Sequence, residues 1–270
     1  MELKKKNKLL IYVISLLILN IFAIALTSFN TFWLLLAAVI SAFVIELLFA
    51  LIRKKKINIL NWLVTPLLFV LFIPASAPIW LPIYGTMFAV LFAKAIFGGD
   101  DYYVFNPAMV GIVFVSISFP VQMPNMVGDL ILVNETFRLL ILFLGFILIA
   151  FKVIDWKIPI VFLGTFFFLT AFFKLLNVGS LDPLTSVYSG TVLLGAFFVA
   201  TDEPTVAKYP LGKIIYAVGL ALMVFVIRTF SSHPDGLPHS ILLMNMLAPL
   251  IDKIEEPKQI DDLKEAHDEN

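Results

Sequence analysis

Two polar interruptions in an otherwise apolar chain carry the side chains with the most chemistry. The stretch "FNPAMVG" sets Asn106 directly before Pro107, and "SGTVLLGAFFVATDEPT" ends in Thr201, Asp202, Glu203, Pro204 and Thr205. An amide, a carboxylate and two hydroxyls are groups that can hold a ligand by hydrogen bonds. Asn-Pro is also the grammar of a helix start, an N-cap followed by proline at the first helical position. Asn106 is thus read both as a cap and as a ligand contact, and the spacing leaves the two open. An acid at a helix C-terminus is opposed by the helix dipole by about 0.3–1 kcal/mol. Asp202 therefore needs a hydrogen bond from another part of the chain.

Other ionisable residues lie deeper in apolar sequence. Glu46 falls inside the second apolar run, where an unpaired acid costs on the order of 2.5 kcal/mol or more at mid-membrane. It is either a step for an ion or proton, or an acid hydrated near the Arg53–Lys56 run. Lys94 is expected to pair with Asp100, Asp101 or Asp202. His233, His239 and His267 form no metal-ligand spacing, and the absence of cysteine excludes thiolate metal sites, disulfides and cysteine nucleophiles. "FGGDD", Phe97 to Asp101, lacks the spacing of a dinucleotide loop, so no direct NAD binding is expected, nor any nucleic acid partner.

The elements that must position these residues are membrane helices. Hydrophobic residues make up 61% of the 270, charged ones 14%, and mean hydropathy is +1.00, which no soluble surface tolerates. Apolar runs predict ten helices, at 9–28, 31–52, 59–75, 84–97, 107–119, 137–152, 158–174, 188–200, 211–228 and 239–251. The fold class is an all-α integral membrane protein, with one transmembrane domain over 1–252 and an acidic tail over 253–270 to which no chemistry is assigned. The basic N-terminus precedes an apolar run with no small-residue cleavage site, so it reads as a retained first span. With the N-terminus inside, all basic residues except Arg138, Lys174 and Arg228 fall on the cytoplasmic side, and an even number of spans puts both termini there. Short runs bordering the breaks at 98–106 and 201–210 suggest interrupted spans, since irregular backbone at depth must line protein or a wet cavity.

A repeat is also visible. Gly85-Thr86 and Gly190-Thr191 are offset by 105 residues, each pair opens a helix that ends in a proline-containing break, and the two helices are the fourth and the eighth, a shift of four. An even shift preserves orientation, so the two halves would be parallel repeats with both breaks at the cytoplasmic side. Gly190 and Gly195 give the second of these helices a small-residue face for a neighbouring helix or a flat ligand.

"FNPAMVGIVFVSISFPVQM", "SGTVLLGAFFVATDEPT" and "HPDGLPHSILLMNMLAPLID" occur in the order found in the D subunits of Rnf electron-transport complexes, which this chain resembles from about Phe97 to Asp252. It is more distantly similar to the B subunits of sodium-pumping NADH:quinone reductases. The resemblance implies a flavoprotein subunit that passes electrons through the plasma membrane, inside a complex linking ferredoxin and NAD to an ion gradient, with the other Rnf-type subunits and the lipid bilayer as partners. It also implies a non-covalent riboflavin beside Asn106 and Asp202. Thr201 and Thr205 are secondary contacts, because the family's Thr-Asp-Pro here reads Thr-Asp-Glu-Pro. Tyr103 stands where the family places another asparagine, and could stack on the flavin ring instead.

One departure is larger. The family's covalent FMN hangs from a threonine in an Asp-x-x-Ser-Gly-Ala-Thr-like segment, which is absent here. Thr136, in "NET", is the one threonine in place, and the preferred reading for it is an N-cap of the sixth helix. Two other functional classes compete with an electron carrier: a small-solute channel or transporter, which also suits parallel repeats with broken helices, and a structural subunit without flavin.

Overall fold

The computed structural model describes residues 2–54, 57–100, 102–123, 134–177, 182–188, 191–231 and 235–268, apart from the side chains of 2, 4, 59 and 256–268. Every described element is helical: α1 (Glu2–Leu26), α2 (Phe29–Arg53), α3 (Ile59–Leu71), α4 (Trp80–Phe88), α5 (Pro107–Ser118), α6 (Glu135–Ala150), α7 (Lys157–Leu175), α8 (Pro183–Tyr188), α9 (Val192–Leu194), α10 (Pro210–Phe230) and α11 (Leu237–Asp268). Four stretches are long and apolar enough to cross a bilayer: Lys5–Leu26, Phe29–Arg53, Lys157–Leu175 and Pro210–Phe230. The helical stretches Leu60–Leu71, Trp80–Ala95 and Pro107–Ser118 are apolar but shorter. Large apolar side chains such as Phe43, Phe146, Phe168 and Val226 face outward, while Leu16, Phe69, Phe72, Phe162, Phe198 and Tyr216 fill the interior. An outside this apolar is a lipid-facing surface, and the chain is a multi-pass membrane protein.

The interrupted helices have a specific geometry. α4 continues directly into a π-helical stretch, Ala89–Ala95, and α9 into another, Gly195–Val199. The wider ladder shows in the Ile96 N–H donating to Leu91 O at 3.1 Å and the Ala200 N–H to Gly195 O at 2.7 Å, each reaching back five residues. π-Turns commonly mark functional sites, because the extra residue re-aims the side chains that follow. Both stretches run straight into the two breaks.

Carbonyls at the ends of these π-stretches find side-chain donors from elsewhere in the bundle. Arg53, from the last turn of α2, donates to Ala95 O, and the Tyr12 phenol of α1 donates to Phe198 O. The Thr201 hydroxyl reaches back to Phe197 O at 2.9 Å. A helix end buried in a membrane protein requires such partners for its orphan carbonyls. Beyond the first stretch, Gly98 and Gly99 adopt φ of +122° and +94°, a reversal that a side chain would strain.

Several element predictions need correction. The fourth helix begins at Trp80, four residues before the predicted 84, because Pro82 is tolerated in a first turn. Of the predicted helix 188–200, Tyr188 is the last residue of the short helix α8 and the helical part described runs from α9 through the π-helical stretch to Val199; Gly190 lies outside the described residues. α11 runs unbroken to Asp268, so residue 252 marks a change of composition and not of secondary structure. The first residues after it have a structural role. Glu255 accepts from the Leu211 and Gly212 N–H groups at 3.0 and 3.2 Å, and Asp252 from Lys208 N–H at 2.8 Å, so carboxylates of α11 satisfy the orphan donors at the start of α10.

Gly195 meets a helix and not a ligand. A Cβ there would stand 2.2 Å from Leu237 Cδ2, so its lack of a side chain lets α11 approach the second break closely.

Candidate functional site

The two breaks come together. Asn106 Nδ2 donates to Asp202 Oδ2 at 3.0 Å, and the Tyr103 hydroxyl donates to Asp202 Oδ1 at 3.1 Å. The Thr205 hydroxyl lies 3.1 Å from Asp202 O and 3.4 Å from Oδ2, curling the second break around the carboxylate. Of the two roles that the sequence left open for Asn106, the geometry shows the cap. Asn106 Oδ1 accepts from Met109 N–H at 3.2 Å, capping α5, which leaves the amide N–H₂ to face Asp202. The hydrogen bonds Asp202 required thus come from the first break.

A third element braces the pair. Asn245 of α11 accepts from the Asn106 N–H at 3.0 Å and donates to Thr205 O at 3.0 Å and to the Tyr216 hydroxyl at 3.1 Å. Asn245 and Tyr216 are buried. One amide therefore ties both breaks to α10 and α11, the interhelical role expected of a polar residue in a membrane bundle.

Beside this cluster opens a cleft of about 910 Å³. Tyr12, Leu9 and Lys8 of α1 line one side, Asn58, Asn61 and Val64 around the start of α3 another, and Tyr103, Val153, Ile154 and residues 201–204 complete it. A smaller cavity of about 10 Å³, the size of a single water probe, lies behind it between Thr65, Lys94, Tyr103, Asn106 and Asp202. The ends of α1, α3 and α6 and both breaks thus share one end of the bundle.

Lys94, at the end of the first π-stretch, is 2% exposed and holds Glu46 Oε1 and Asp100 Oδ1 each at 2.6 Å. Its pairing with Asp100 follows the sequence expectation; Asp101 lies outside the described residues. Lys94 does not bond Asp202, although both border the small cavity. Glu46 is neutralised by this buried ammonium and does not depend on interfacial water alone. Buried cations are tolerated when paired in this way.

Thr136 requires a correction. The cap of α6 is Asn134, whose Oδ1 accepts from Phe137 N–H at 3.2 Å, and Thr136 is an exposed residue of the first turn. Asparagine outranks threonine as an N-cap, and its position just before the acid Glu135 fits the start of a helix. Tyr12, Asn61 and Tyr216 were missed as site residues. A signal for Tyr12 was available, since Lys5, Lys8, Leu9 and Tyr12 recur at helical spacing on one stripe of α1.

The far end of the bundle carries a separate polar cluster. Asp235, fully buried, accepts from Thr191 N–H at 2.9 Å, from the Thr191 hydroxyl, from Leu237 N–H at 3.1 Å and from Arg228 Nη2 at 3.1 Å. Its carboxylate is satisfied and serves to lock α9, α10 and α11 together.

The family described as NQR2, RnfD, RnfE matches residues 2–131 and 125–261 of this chain. The D subunit of the ion-translocating oxidoreductase complex of Alcanivorax borkumensis is 32% identical, over 85% of this chain and 83% of its own. The D subunit of the Na(+)-translocating ferredoxin:NAD(+) oxidoreductase complex of Acetobacterium woodii is 34% identical, over 80% of this chain and 78% of its own. The corresponding protein of the Vibrio vulnificus ion-translocating oxidoreductase complex is 30% identical over 83% and 86%. The family match spans both breaks, and the chain belongs to the NQR2, RnfD, RnfE family.

Proposed function

We propose that this chain is the D-type membrane subunit of an ion-translocating electron-transport complex, linked to ferredoxin and NAD through its partners, and that it relays electrons through a flavin held without a covalent bond in the cleft. One observation carries the proposal: Asp202, on the wall of a cleft of ligand size, is held from behind by Asn106, 96 positions away in the other break, which lines the small adjoining cavity. Small-molecule sites occupy about 300–1,000 Å³, with apolar walls and a few placed polar groups. Leu9, Val64, Val153 and Ile154 supply the walls, and Tyr12, Tyr103, Asn61 and Asp202 the polar groups, a set that fits an isoalloxazine ring. When bound, the flavin supplies reversible one- and two-electron transfer. The chain's own residues hold it: Tyr103 and Tyr12 offer aromatic faces, and Asp202 accepts from ring N–H. Thr205 and Asn245 fix the carboxylate and the backbone behind it, and Thr201 faces the same cleft.

The ten-span arrangement in two parallel repeats belongs to this reading. Its support is that the π-stretches begin at 89 and 195, 106 apart against the 105 of the Gly-Thr repeat, and each precedes a break that ends in proline at position N1 of the next helix. The charge distribution supports cytoplasmic termini and, with them, a cleft on the inner side of the plasma membrane. Thr136 is proposed to remain unmodified, since its surroundings lack the attaching sequence. A single inner-side flavin does not bridge a hydrocarbon core of about 30 Å, so neighbouring subunits would complete the route. Glu46, Lys94 and Asp100 are proposed as a fixed ion cluster behind the site, with the Lys94 ammonium standing where a mobile cation would otherwise be needed.

The test is direct. The purified protein should show the visible absorption of an oxidised flavin, and the colour should wash out in denaturant. A colourless preparation that takes up no added flavin would favour a solute channel or a scaffold. Fluorescence that survives a denaturing gel would overturn the reading of Thr136.

A further inference from the structure

The small cavity behind the cleft is lined by a hydroxyl that bonds nothing in the protein. Thr65, in the middle of α3, is 4% exposed and borders this space. Elsewhere in the bundle a buried helical hydroxyl turns back onto its own helix: Ser15 donates to Ile11 O, Thr86 to Pro82 O, Thr201 to Phe197 O and Ser240 to Gly236 O, at 2.7–3.0 Å. Among the described residues the Thr65 hydroxyl has neither that bond nor one to another helix. A hydroxyl so deeply buried is costly without a partner, so the cavity it lines has to supply one.

Two other groups at the cavity have bonding positions left. The Lys94 ammonium carries three N–H groups, and Glu46 Oε1 and Asp100 Oδ1, each at 2.6 Å, take two of them. Asn106, Tyr103 and Thr205 occupy three of the roughly four acceptor positions of the Asp202 carboxylate. A donor, an acceptor and a hydroxyl that is both surround about 10 Å³, room for one water. We infer that a single water sits there, accepting from Lys94, donating to Asp202 and bonded to Thr65, so that Lys94 and Thr65 are positioning residues for the carboxylate of the cleft. Asn61, Val64, Tyr103 and Asp202 line both spaces, whereas Thr65 and Lys94 line the small one alone. Lys94 and Thr65 therefore act on a ligand in the cleft through the water and Asp202, and not by touch. The same bridge joins the Glu46–Lys94–Asp100 cluster to the meeting of the two breaks. A metal cation fits the space less well, because the ammonium on its wall repels it.

The first test does not depend on the flavin reading. A map of the full chain in nanodiscs, fine enough to show ordered water, should hold one peak within about 3.2 Å of Thr65 Oγ1, Lys94 Nζ and a carboxylate oxygen of Asp202. A cavity closed by side chains, an empty one, or a peak with the contacts of about 2.0–2.6 Å typical of a hard metal cation would overturn the inference. The second test rests on that reading and titrates riboflavin into the stripped protein. Thr65→Val keeps the shape of the side chain without its hydroxyl and should raise Kd roughly three- to tenfold, while Thr65→Ser should restore it. Lys94→Met/Glu46→Gln keeps the net charge of the cluster but removes the ammonium, and should raise Kd by a similar factor over Glu46→Gln alone. Unchanged affinity in Thr65→Val, or a Thr65→Ser variant no better than Thr65→Val, would overturn the inference. If the unaltered protein binds no flavin, the flavin reading falls and the map alone decides on the water.

Discussion

Replacing Asp202 by alanine tests the meeting of the two breaks most severely. The carboxylate accepts from Asn106 Nδ2 at 3.0 Å and from the Tyr103 hydroxyl at 3.1 Å, and both donors belong to buried residues. Asn106 cannot turn its amide over to compensate, because its Oδ1 is committed to Met109 N–H at 3.2 Å. Two donors would thus lose their acceptor in surroundings where each unsatisfied group costs about 1–3 kcal/mol, giving a destabilisation of about 2–6 kcal/mol. On the flavin reading proposed above, the ligand would in addition lose a charge-assisted hydrogen bond of about 1.5–3 kcal/mol, a rise in Kd of about 10- to 150-fold. The assay is fluorescence titration of flavin into the stripped protein, alongside thermal unfolding in detergent. Asn106→Ala and the double variant complete a cycle, and the two losses should fall short of additivity by well over the about 0.5 kcal/mol seen for independent sites. Glu46→Ala serves as the comparison, because Glu46 bonds Lys94 and not the Asp202 cluster; its flavin Kd should stay within about twofold of the unaltered protein. Equal loss of flavin in Asp202→Ala and Glu46→Ala, or strict additivity of the cycle, would refute the reasoning.

Four further outcomes follow from the same geometry. Tyr103→Phe removes one hydrogen bond to Asp202 and keeps the ring, so flavin Kd should rise only by the equivalent of about 0.5–1.5 kcal/mol, whereas Tyr103→Ala should cost more in the same titration. Lys94→Ala leaves Glu46 and Asp100 without their shared cation and should destabilise the protein by about 3–5 kcal/mol, read as a lowered Tm; combining it with Glu46→Gln should restore part of the loss. Asp235→Ala takes away the carboxylate that Arg228 meets at the opposite end, lowering Tm by a comparable free energy while flavin affinity of the folded protein stays unchanged. Asp155, in the turn between α6 and α7, is pulled upward by partial burial, but hydrogen bonds from Lys213 Nζ and Lys157 N–H outweigh that and hold its carboxyl below the ordinary 3.8. A depressed folded value means that the stabilisation is present above the unfolded value and is lost as pH falls below it, so Asp155→Asn should lower Tm near neutrality and make it less sensitive to acid below about pH 4.

The membrane class, the approximate place of most helices and the two breaks were legible in the sequence. Burial in lipid demands long apolar runs, and proline, glycine and charge interrupt them visibly. The dual service of Asn106 was half legible: Asn-Pro announces a cap from local spacing, but its second bond depends on a residue in the other half of the chain. The need of Asp202 for donors followed from the helix dipole, while the identity of those donors did not. Thr136 was misread as a cap because two adjacent polar residues competed for one role, and only the backbone shows that Asn134 holds it. The tail was read as inert because its charge run resembles a solvated end, yet Glu255 lies one turn beyond the apolar part of α11 and meets the start of α10.

What the sequence determined by itself was everything set by neighbours along the chain: hydropathy, helix starts, the cost of an unpaired acid, and the residue types offered at each break. Only the tertiary structure decided which of those residues meet. The stripe of α1 became a cleft wall, Asn245 became the brace between two distant breaks, and Lys94 chose Glu46 and Asp100 over Asp202. The physical reason is that a helix fixes the spacing of its own side chains but not its rotation against another helix. A hydrogen bond between positions 106 and 202 depends on that rotation alone.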